Sequence, residues 1–78
     1  MPSIQTIQSE TSTETHYLRT VPRTNGTALV IRRAGGVRVA TITKLHRGWE
    51  LDLGAGIRRS YDRKVDCFFA AVNHDNNR

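Results

Sequence analysis

Only one cysteine, Cys67, occurs in the 78 residues. An internal disulfide is therefore excluded, and a lone thiol fits a reducing cytosol better than secretion. No stretch approaches the roughly 20 apolar residues of a membrane helix. Residues 1–20 combine no basic start with an apolar run, so no secretory signal is expected. A Walker-type phosphate loop is also missing; Gly35-Gly36 and Gly54-Ala55-Gly56 read as short hairpin connections. His16, His46, His74 and Cys67 match no zinc-ligand spacing, so neither a metal nor a cofactor is expected. Cys67 sits next to Phe68 on a core-facing segment, which suits packing rather than nucleophilic chemistry. Glu50 and Asp52 lie two apart on one wet strand face, without the desolvation an acid–base pair needs. These absences argue against an enzyme.

Lysine is scarce as well. Ten of the twelve basic residues are arginines, whose planar forks pair with phosphate, carboxylate or guanine. Their distribution is uneven. Residues 1–18 carry Glu10 and Glu14 and no Lys or Arg, whereas residues 19–64 hold eleven Lys and Arg against Glu50, Asp52 and Asp62, a net of +8. Concentrated positive charge favours a polyanionic partner such as DNA or RNA.

Length permits a single domain, and one this short buries only roughly 60% of its unfolded surface. A thin core of this kind usually needs a staple or a partner. Residues 1–14 are rich in Ser, Thr, Gln and Glu, with isolated Ile4 and Ile7, and read as a flexible arm. From Thr15 the pattern turns to period two. Strands are expected over 15–21, ending at Pro22, and over 27–33, 37–44, 49–53 and 57–61. In the third, Val37, Val39, Thr41 and Thr43 alternate against Arg38, Ala40, Ile42 and Lys44. A helix capped by Asp62 follows, with Val65, Phe68, Phe69 and Val72 at helical spacing and both phenylalanines facing the sheet. The expected fold class is α+β: an antiparallel β-meander of four to five strands with one C-terminal helix packed on one face. Residues 15–74 form the domain, and 75–78 a disordered tail.

Register can be argued too. A three-residue loop at 54–56 sets Leu53 opposite Ile57 and Trp49 opposite Tyr61, with Asp52 facing Arg58 and Glu50 facing Ser60. It also leaves Arg59 on the apolar face beside Leu51. Of the aromatic residues, all but Tyr17 read as core, which disfavours base stacking. Val30, Val37 and Val39 are expected on an uncovered face of the 27–44 hairpin, inviting a homodimer or another partner.

Residues 37–71 have a familiar outline. Trp49-Glu50-Leu51-Asp52-Leu53 opens a strand, Gly56-Ile57-Arg58-Arg59-Ser60-Tyr61 returns it, and Asp62 to Ala71 forms the helix. This resembles the AP2-like arm-type DNA-binding domains of phage and transposon tyrosine recombinases. The resemblance implies a sheet that enters the major groove, with Arg38, Lys44, Arg58 and Arg59 among its DNA contacts. No recombinase domain follows, so the chain would act as a small phage or mobile-element accessory protein. Glu50 and Asp52 put negative charge where that family tends to carry bases. In size and style the chain also resembles anti-CRISPR proteins.

The sequence-level expectation is a non-enzymatic, cytoplasmic nucleic-acid-binding module. Its contacts would be Arg32, Arg33, Arg38, Lys44, Arg58 and Arg59, about five of which would give a log–log salt slope near −4 to −5. The alternative is a protein-binding inhibitor of a host system, whose arginines meet an acidic or nucleic-acid-binding protein.

Overall fold

A computed structural model describes residues 11–78. Five strands, β1 (His16–Thr20), β2 (Ala28–Arg32), β3 (Val37–Lys44), β4 (Trp49–Gly54) and β5 (Ile57–Tyr61), form one antiparallel sheet in sequence order. One helix, α1 (Lys64–Asn76), packs across it, mainly on β3 and β4. The α+β meander with a C-terminal helix is thus the observed fold.

Period-two alternation explains the core. Leu18, Ala28, Val30, Ala40, Ile42 and Leu51 point to one face and are buried. Cys67, Phe68, Ala71 and Val72 recur along α1 and close over them. The other face carries Tyr17, Arg19, Leu29, Thr41, Thr43, Glu50, Asp52, Arg58 and Ser60, as the cross-strand pairs require. Among the described residues, no second helix or sheet lies on it.

The β4–β5 register agrees with expectation for Trp49↔Tyr61, Glu50↔Ser60 and Asp52↔Arg58, and Arg59 stands beside Leu51. Its end differs: Gly54, not Leu53, pairs with Ile57. Asp52 Oδ1 accepts from the Gly54 amide at 2.9 Å, and the positive φ of Gly54, Ala55 and Gly56 turns the chain there.

A bulge between β2 and β3 has a larger effect. Val30 pairs with Ala40 but Ile31 pairs with Arg38, so Val39 is the extra residue. Arg38 thereby leaves the face of Ala40 and Ile42 and joins Ile31 on the helix-free side. Val30, expected on an uncovered face, is fully buried under α1, and Val39 is half-buried; only Val37 of the three is exposed.

The helix corrects the sequence reading at both ends. Its N-cap is Arg63 rather than Asp62, with extended backbone and no side-chain cap. Tyr61 is still in the sheet, and the amides of Asp66 and Cys67 both reach back to the Arg63 carbonyl. The first-turn acid is Asp66, which the Arg63 guanidinium meets at 3.1 and 3.2 Å. At the other end, α1 takes in Asp75, which the sequence reading left in a disordered tail. An ion pair to Arg32 and a hydrogen bond from His16 hold Asp75 in place, and Asn77 closes the helix through two hydrogen bonds to the Asn73 carbonyl.

Phe69, expected to face the sheet, is 47% exposed and touches Phe68 edge-on. Residues 11–14, expected in a flexible arm, fold back along β1: the Leu18 amide donates to the Thr11 carbonyl and Ser12 bridges Tyr17. Ile4 and Ile7 lie outside the described residues.

Candidate nucleic-acid interface

The six basic residues singled out in the sequence do not form one patch. Arg38 and Arg58 stand on the helix-free face; Arg58 lies 3.8 Å from Asp52, while Arg38 meets no carboxylate among the described residues. Arg33 follows β2 and turns to the same side, its guanidinium 5.1 Å above the Tyr17 ring and its Nε donating to the Thr13 carbonyl. Lys44 and Arg59 lie on the helix side of the sheet. The Lys44 ammonium rests 5.2 Å from the Trp49 ring centre, and Lys64 lies 5.5 Å from it. Trp49 is accordingly half-buried beneath two cations, rather than fully enclosed in the core.

Arg32 is committed elsewhere. Its Nε and Nη2 grip the Asp75 carboxylate at 2.9 and 2.7 Å, a bidentate pair joining β2 to the end of α1. Asp75 Oδ2 also faces His16 Nε2 at 2.8 Å, and His16 Nδ1 lies 2.7 Å from the Thr15 hydroxyl. The Arg32 hydrogen bonds, helped by His16, hold the Asp75 carboxyl well below the usual carboxylate range, although burial opposes them. An ionised Asp75 only accepts, so Nε2 carries a hydrogen; in neutral His16, Nδ1 then accepts from Thr15.

A hydroxyl, an imidazole and a carboxylate thus stand in line, in the order of a nucleophile, a base and an orienting acid. Arg32 occupies both oxygens of Asp75, which commits the carboxylate to joining β2 and α1. The arrangement works as a tie between β1, β2 and α1. No group of three or more His, Cys, Asp or Glu side chains among the described residues could hold a metal. The Cys67 thiol is buried, and burial, aided by the charge of Asp66, pushes its pKa up to about 11.

Arg19 was missed among the candidates, although its alternation with Leu18 places it opposite the core. It belongs to a continuous row across the helix-free face: Arg19, Leu29, Thr41, Asp52 and Arg58. Four arginines, Arg19, Arg33, Arg38 and Arg58, therefore share this side with Glu50 and Asp52. Hydroxyls from Thr41, Thr43 and Ser60 lie among them. Compared with protein-family models, curated proteins and solved structures, the chain matches none. No helix among the described residues is long and apolar enough to cross a membrane.

Proposed function

We propose that this protein is a cytoplasmic nucleic-acid-binding module whose helix-free sheet face holds duplex DNA. Arg19, Arg33, Arg38 and Arg58 would contact phosphates, and Thr41, Thr43 and Ser60 sugars or base edges. The observation that carries this reading is the surplus of arginine on one face. Asp75 and Asp66 are engaged by Arg32 and Arg63, and of the acids on the face only Asp52 approaches an arginine, at 3.8 Å.

Dimensions refine the docking. Arg19 and Arg58 end the same cross-strand row, four strand spacings apart, or about 19 Å. A B-DNA major groove is about 12 Å wide. Five strands are too broad to sink into it together, so the sheet lies across the groove and its end arginines reach the phosphate walls. This differs from entry of the sheet into the groove, which the resemblance to arm-type domains implies. Arg32, Lys44 and Arg59 drop out of the interface.

A mobility shift at two salt concentrations tests the assignment. Arg38→Ala with Arg58→Ala should weaken the shift and its salt sensitivity, and Lys44→Ala with Arg59→Ala should leave both intact. The reverse pattern, or no shift by the parent protein, overturns the reading. Exposed Phe69, an apolar anchor on the solvent side of α1, favours a second reading as a protein-binding inhibitor. One stoichiometric protein partner that survives nuclease treatment, depends on Phe69 and accompanies an absent shift would establish that alternative.

A further inference from the structure

A cleft of about 740 Å³ opens where the start of β1, the end of β2 and the end of α1 meet. Its volume falls within the range of small-molecule sites. Arg32, Arg33 and Arg78 line it, together with Thr15 and Asn76. Two acids, Glu14 and Asp75, share the lining, and Asp75 is neutralised by its own contacts.

The arginines are held in ways that leave donors free. Arg32 spends Nε and Nη2 on Asp75, and Nη1 makes no hydrogen bond among the described residues. Arg33 spends Nε on the Thr13 carbonyl and rests on Tyr17, which leaves both terminal nitrogens uncommitted. Arg78 sits 3.5 Å from Asp75 with its side chain 64% exposed, a loose contact that a stronger anion can displace. Two guanidiniums fixed in advance, with terminal N–H groups to spare, lose little freedom when an anion arrives.

We propose that this cleft binds the phosphate of a small phosphorylated ligand of nucleotide size. Arg33 and Arg78 clamp the phosphate oxygens, and the remaining Nη1 of Arg32 completes the set. A phosphate offers enough oxygens to engage two guanidiniums at once, which suits this lining better than a single carboxylate does. The remaining cleft volume accommodates the organic part. The inference stands apart from the nucleic-acid reading, because Thr15, Asn76 and Arg78 take no part in the sheet-face interface. Only Arg33 borders both.

The test is an amide-shift titration of the full chain with adenosine 5′-monophosphate, inorganic phosphate and adenosine. Saturable shifts are expected at Thr15, Ala34 and Asn76 with the nucleotide, smaller ones at the same amides with phosphate, and none with adenosine. Arg78→Ala, at a site remote from the core, should weaken the nucleotide about tenfold or more. Arg38→Ala should leave the titration unchanged. Shifts that map to Thr41 and Arg58 instead, equal binding of adenosine, or indifference to Arg78→Ala would each overturn the proposal. These outcomes are independent of whether the parent protein shifts duplex DNA.

Discussion

Replacing Asp75 by alanine should destabilise the fold far more than its place near the chain's end suggests. The carboxylate joins α1 to β1 and β2 through His16 and Arg32. His16 is 1% exposed, so without Asp75 its Nε2 hydrogen is left buried and unsatisfied, at about 1–3 kcal/mol. Arg32 is partly exposed and can turn to water, so its loss adds little. A total of about 1–3 kcal/mol is a large share of the roughly 4–12 kcal/mol that a chain of this length commands. Thermal unfolding followed by circular dichroism should show Tm falling by roughly 5–20 °C. The sign of the pH dependence follows from the same contacts. A carboxyl held below its ordinary range stabilises the fold fully above the unfolded-state value of about 4. That stability is lost as pH falls from there toward the lower folded-state value. Asp75→Ala should therefore flatten the acid limb of stability. A change below about 0.5 kcal/mol, or an unaltered acid limb, would refute the tie.

Three further outcomes follow from the packing. Gly48→Ala places a Cβ 2.6 Å from the Tyr61 carbonyl oxygen at a φ of +81°, so denaturant unfolding should show a loss of roughly 1–3 kcal/mol. Cys67 should resist a thiol reagent at neutral pH until the chain is unfolded, since it is fully buried and its pKa is raised to about 11; rapid labelling of the native protein would contradict this. Phe68→Ala should lose roughly 3–5 kcal/mol while its neighbour Phe69→Ala loses little, and equal losses would show that the helix face is misassigned.

Where alternation and turn residues agree, the fold was legible in the sequence. β3 and β5 begin and end at the expected residues, because Gly35-Gly36, Gly54-Ala55-Gly56 and Leu45 to Gly48 bound unambiguous period-two runs. The β4–β5 register followed from opposing Trp49 to Tyr61 and Asp52 to Arg58. The bulge at Val39 was not legible, since nothing local distinguishes that valine from its neighbours, and it moved Arg38 across the sheet. Nor was Asp75: in a run of Asn and Asp, only the distant partners His16 and Arg32 give it a structural role. Phe69 misled because an aromatic residue at helical spacing looks like core, while one turn of α1 has room for only one of the two adjacent rings over the sheet. The candidate interface was visible as charge but not as a surface. Six sequence-selected bases divide between both faces and an internal ion pair, while Arg19 joins the helix-free side.

The salt dependence of DNA affinity tests the central claim most directly. Each neutralised phosphate contributes about −0.9 to the log–log slope. The four arginines of the helix-free face thus predict a slope of about −3.6, shallower than the sequence alone implied. Arg38→Ala should bring it to about −2.7 by the same relation, whereas Arg59→Ala should leave it unchanged. Fluorescence anisotropy of a labelled duplex across a salt series measures this. A slope near zero, or one that responds to Arg59→Ala and not to Arg38→Ala, would contradict the assignment of the helix-free sheet face as the nucleic-acid interface.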